Sequence, residues 1–74
     1  MFKLKEVVIV NNLRNRWNIP PCGIIEELTE TTAVVKVYNL YGPGADMTVF
    51  DIPLSELSKV ENIYKKISNT LLSG

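Results

Sequence analysis

Cys22 is the single thiol of a 74-residue chain that contains no histidine. A thiol attacks as its thiolate, and imidazole is the usual base that generates one. Without that base, Cys22 reads as a small buried residue at the start of a strand. The same two counts remove the four Cys or His ligands of a structural zinc site, and they exclude an internal disulfide. Carboxylates are better supplied, at Glu26, Glu27, Asp46 and Asp51. Successive strand residues face opposite ways, so Glu26 and Glu27 are not expected to share a substrate. No catalytic residue, metal or cofactor is expected, and the chain reads as a non-enzyme.

Binding chemistry has two candidate stretches. "LRNRW", Leu13 to Trp17, puts Arg14, Arg16 and Trp17 in one loop, and these residue types are enriched at interface hot spots. They also suit stacking on single-stranded nucleic acid. The other outcome is that Trp17 folds back to cap the core while the arginines meet Glu26, Glu27 or Glu30. The second stretch is "NLYGPGAD", Asn39 to Asp46. A phosphate cradle wants successive backbone N–H groups at a helix N-terminus with a lysine nearby. Here Pro43 removes a donor, the loop feeds a strand, and the next charge is Asp46. It reads as a strand connection. Tyr38 and Tyr41, each an apolar ring with a hydroxyl, make it an interface candidate together with Asp46.

The elements that must position these residues are short strands. "KEVVIV" (5–10), "CGIIEEL" (22–28), "TAVVKVY" (32–38) and "MTVFDI" (47–52) are rich in β-branched residues and separated by turn signals. In the third, Ala33, Val35 and Val37 alternate with Val34, Lys36 and Tyr38, so two faces are defined. Gly23 marks a bulge or a close backbone approach, and Pro53 ends the fourth strand or places it on an edge. Beyond it the period changes. Leu57, Val60, Tyr64, Ile67 and Leu71 step by an average of 3.5. Two arrangements fit: one helix from Ser55 to about Leu72, or a turn at "SEL", a closing strand at "SKV" and a helix over about 61–72. The second is preferred. The stripe of Tyr64, Ile67 and Leu71 would pack on the protein's own core or form a homodimer seam.

The order "EVVIV", "CGIIEEL", "AVVKVY", "MTVFDIPLSEL", "SKVE" resembles the small SH3-like barrels. Among these are the KOW-type modules of ribosome and transcription proteins, the photosystem I reaction-centre subunit IV, and compact bacterial small barrels. The resemblance implies a mainly β fold, a small antiparallel five-stranded barrel with a C-terminal α-helix added. It also supports the preferred arrangement after Pro53. Where a KOW motif is basic and glycine-rich, this chain has Glu26 and Glu27. One domain over 1–74 is expected, with the barrel over about 3–60.

Net charge is zero, and the signs are segregated. Residues 1–20 carry four cations against Glu6, 21–56 carry six acids against Lys36, and 57–74 carry three lysines against Glu61. A grip on any phosphate backbone wants a basic excess, so duplex DNA should be bound only weakly. The apolar run 7–10 is too short for a signal peptide, and nothing approaches the ~20 residues of a membrane span. A cytoplasmic protein-interaction or regulatory module is the leading expectation, with a protein partner. The alternative is a nucleic-acid-binding barrel using Lys3, Lys5, Arg14, Arg16 and Trp17. A weaker alternative is an acidic inhibitor or accessory subunit whose middle segment mimics nucleic-acid charge.

Overall fold

A computed structural model describes residues 1–60. It contains strands β1 (Val7–Val10), β2 (Cys22–Leu28), β3 (Thr32–Val37), β4 (Met47–Pro53) and β5 (Leu57–Lys59). A one-turn 3-10 helix, Leu54–Glu56, joins β4 to β5. The preferred turn-plus-strand arrangement after Pro53 therefore holds, and a helix starting at Ser55 does not. The expected helix over 61–72, with Tyr64, Ile67 and Leu71, lies outside the described residues.

All five strands form one antiparallel sheet in the order β4-β3-β2-β1-β5. The expectation of a closed barrel is corrected here. β4 and β5 lie at opposite margins and share no ladder, so the sheet is open. Short strands with strong twist can wrap a core without completing the hydrogen-bonded circuit.

The core is aliphatic. Val8, Val10, Ile25, Ala33, Val35, Val37, Leu40, Ile52 and Leu57 are buried, and no polar or charged side chain among the described residues is buried with them. The alternation in β3 is as the sequence dictates, with Ala33, Val35 and Val37 inward. Gly23 faces the same core. A Cβ there would lie 2.5 Å from Val35 Cγ1 and 2.7 Å from the Lys36 carbonyl oxygen. The close-approach expectation for Gly23 is met, and it corrects the expectation for Cys22. Because Gly23 takes the inward position, its neighbour Cys22 points out and is exposed.

Two bulges flank Val34. In β2 the pairs Ile25–Val35 and Glu27–Val34 leave Glu26 as an extra residue. In β4 the pairs Val35–Val49 and Ala33–Ile52 leave Phe50 and Asp51 opposite Val34 alone. Asp51 takes φ of 54°, a left-handed backbone that aspartate tolerates better than most residues. Strict alternation therefore fails between Glu26 and Glu27 as the reason for separating them; Glu26 turns to Lys5, while Glu27 lines a pocket with Val34, Phe50 and Asp51.

Glu26 is pinned at its bulge by Lys5, with Nζ donating to Oε2 at 2.6 Å. That hydrogen bond, opposed by desolvation and reinforced by the charges of Lys5 and Lys36, holds the Glu26 carboxyl below the ordinary glutamate range. A depressed folded-state pKa stabilises the fold above the unfolded value, and the gain fades as pH falls through the folded value. Because the pair is exposed, the contribution is small and salt-screened. Lys5→Met should raise the Glu26 titration midpoint toward the ordinary range in carboxyl NMR. An unmoved midpoint would remove Lys5 as the cause.

Candidate functional site

The loop after β1 is built around Asn15. Its Oδ1 accepts the N–H of Trp17 at 2.9 Å and of Ile19 at 3.0 Å. Its own N–H donates to the Ile19 carbonyl, and the Asn18 N–H returns to the Asn15 carbonyl. Asn18 closes the turn at φ 60°, a conformation asparagine tolerates. The tip carrying Arg16 and Trp17 is thus fixed by its own backbone. Below it, Leu13 packs against the core and the Asn11 Nδ2 donates to Ser58 Oγ at 2.7 Å.

The connection from β3 to β4 is closed in the same way. Asn39, at φ 54°, accepts the Gly44 N–H on Oδ1 at 2.9 Å. Its own N–H donates to Asp46 Oδ1 at 3.1 Å. The Leu40 N–H donates to the Ala45 carbonyl and the Ala45 N–H to the Gly42 carbonyl, and Leu40 itself is 4% exposed. The loop hangs from that leucine in the core, leaving the next residue, Tyr41, outside.

These two loops meet. Arg16 lies over Gly42, where a Cβ would be 3.3 Å from Nη1 and 3.5 Å from Cδ. Its guanidinium carbon is also 5.7 Å from the centre of the Trp17 ring. Around this contact Trp17 is 51% exposed, Ile19 57% and Tyr41 67%. Together they form an exposed apolar face on preordered loops. The outcome in which Trp17 folds into the core is not the one observed.

The remaining candidates have other positions. Arg14 turns its Nη1 onto the Asn11 and Leu13 carbonyls, both at 2.8 Å, and acts as a loop brace. Asp46 is likewise a brace, through Asn39. Tyr38 is half-buried on the outer face of the sheet, with Lys36 Nζ 6.0 Å from its ring centre. Among the described residues neither arginine is ion-paired with Glu26, Glu27 or Glu30. The basic set Lys3, Lys5, Arg14, Arg16 is divided, since Lys5 serves Glu26 and Arg14 serves backbone carbonyls.

Sequence reasoning did not single out Ile19 or the pins Asn15 and Asn39, and it read Gly42 only as part of a strand connection. Asparagine at turn positions was the available signal, because its amide replaces a backbone partner and tolerates φ above zero. No group of three or more Cys, Asp or Glu that could hold a metal occurs among the described residues, and no helix among them is long and apolar enough to cross a membrane. Set beside known proteins, the chain matches no family model, no curated protein and no solved structure.

Proposed function

We propose that the chain is a non-enzymatic, SH3-like small-barrel module that captures a protein partner through the face carrying Arg16, Trp17, Ile19 and Tyr41. The observation that carries this reading is the meeting of two separately pinned loops, Arg16 over Gly42, with three apolar side chains more than half exposed around the contact. Preordered loops lose little conformational freedom on binding, and Trp, Tyr and Arg are the side chains that dominate such contacts. A cytoplasmic setting fits the unpaired Cys22.

Nucleic acid is the second reading, favoured by the stacking of Arg16 on an exposed Trp17. It is ranked lower because net charge is zero and only Arg16 of the four basic candidates is placed at this face and uncommitted to carboxylate or carbonyl among the described residues. Both readings are tested by Trp17→Ala and Tyr41→Ala in tagged protein, compared in capture from the native host with and without nuclease. We expect capture of a defined protein to fall at least about tenfold in each variant, to survive nuclease, and melting midpoints to stay near wild type because both rings are exposed. Loss of capture on nuclease treatment would promote nucleic acid. Unfolding of Trp17→Ala would remove Trp17 from the interface.

A further inference from the structure

Among the described residues the sheet has two margins without a further strand, and they are unlike each other. β5 is three residues long and half-covered, with Lys59 drawn across Phe2 to the Met1 carbonyl and to Glu6. β4 is seven residues long, and no strand among the described residues pairs with its outer side. On that margin Phe50 is 65% exposed and Met47 41%. Alternate residues of an edge strand turn their N–H and C=O groups outward, where a further strand can hydrogen-bond to them.

At the double bulge around Val34 a cavity of about 380 Å³ lies over β2, β3 and β4 and reaches this margin only through Phe50 and Asp51. Phe50 and Val34 give it an apolar wall, while Glu27 and Asp51 supply carboxylates. Neither carboxylate has an ion-pair or side-chain hydrogen-bond partner among the described residues. An apolar wall with two free anions fits the stem and head of a lysine or arginine. At the other end of the exposed stretch stands Asp46. A second copy of this chain is the wrong occupant. Antiparallel self-pairing over Met47–Phe50 brings Asp46 of one copy to within about one residue of Asp51 of the other, and like charges there repel.

We propose that β4 accepts an extended peptide segment of a partner, added antiparallel along Met47–Phe50, with a lysine or arginine seated against Phe50, Glu27 and Asp51. The segment is a short alternating strand with a cation at each end, four residues apart, so that both cations face the outer side of β4 and the second meets Asp46. This surface meets the loop carrying Tyr41 only at Asp46, so the two can be occupied by different parts of one partner or by two.

The test uses the full chain and two synthetic probes, acetyl-Lys-Val-Thr-Val-Lys-amide, whose lysines share one face, and its counterpart with glutamate at both ends. Binding is followed by amide NMR shifts. The lysine peptide should perturb amides of 47–50, saturate in the micromolar to millimolar range, and bind at least about tenfold tighter than the glutamate peptide. Glu27→Gln with Asp51→Asn, which keeps a residue tolerant of φ above zero, should reduce that affinity about tenfold while Trp17→Ala leaves it unchanged. Methylating the backbone nitrogens of the lysine peptide should abolish binding. Equal affinity for both peptides, shifts confined to 13–19 and 39–46, or a dimer formed through β4 would each overturn the proposal. A binding β4 with a failed Trp17 experiment, or the reverse, separates this inference from the loop-face reading.

Discussion

Gly23→Ala is expected to be the most damaging small substitution in the described chain. The added methyl would enter within 2.5 Å of Val35 Cγ1 and 2.7 Å of the Lys36 carbonyl oxygen, and the second of these is backbone in the middle of a ladder. β2 and β3 cannot separate without breaking the Gly23–Val37 and Ile24–Lys36 pairs on either side. Overpacking of this kind costs about 3 kcal/mol. In a domain of this size that lowers the melting midpoint by roughly 10 to 20 °C. Gly44→Ala is the control. Gly44 has φ of 75° but nothing within 4 Å of a Cβ, so only backbone strain of about 1 to 2 kcal/mol is incurred. A Gly23→Ala protein that melts with wild type, or above Gly44→Ala, would mean that the β2–β3 register is wrong.

Leu40→Ala should damage both stability and the binding face. Leu40 is 4% exposed although it lies in a connecting loop, and it belongs to the same buried cluster as Val35 and Val37. Truncating a buried leucine costs about 2 to 5 kcal/mol, depending on how far the cavity collapses. Here the loss also frees the loop, because Leu40 is its one fully buried side chain between Asn39 and Asp46. Thermal unfolding should show the stability loss, and hydrogen exchange should show faster exchange at the amides of Leu40 and Ala45, which bond within the loop. Partner capture should then fall with Leu40→Ala as it does with Tyr41→Ala, but with a lowered melting midpoint only in the former. A Leu40→Ala protein with wild-type stability and exchange would show that the loop is held by its asparagine pins alone.

The strands were readable because their faces are chemically distinct. In β3 the buried Ala33, Val35 and Val37 alternate with Lys36 and half-exposed Val34, so period and facing follow together. β2 begins at Cys22 and ends at Leu28 as its composition indicates, since Pro21 and Thr29 bound it. β1 begins later than expected, at Val7, because Lys5 adopts φ of 66° and breaks the extended run. The bulges were not readable. Each inserts one residue without changing composition, and the alternation resumes on the far side. Asp51 shows its left-handed backbone only in the folded chain.

The position of the exposed loop face was half legible. Arg16, Trp17 and Tyr41 stood out as residue types, but composition does not say which way a loop tip turns. What decides it is Asn15 holding the turn outward and Gly42 leaving room for the Arg16 side chain. Arg14 and Asp46 have the same residue chemistry as interface groups, yet here they hold the loops together. Cys22 was misread for a related reason. Facing within a strand is fixed relative to neighbours, and Gly23 had claimed the core side through its contact with β3.

The strand order also governs the sequence of assembly. β2, β3 and β4 are consecutive neighbours, and the tight turn through Thr29 brings Leu28 and Ala33 together at once. β1 and β5 meet only across nearly the whole described chain, as in the pair Val8–Lys59. Closing a long loop carries a larger entropic penalty, and contacts between distant segments slow folding. The three-strand meander is therefore the natural nucleus, and the β1–β5 seam is the last to form and the first to part. Of the described strands β1 precedes the others, and although β2 covers one of its flanks early, the other stays unpaired until β5 is made.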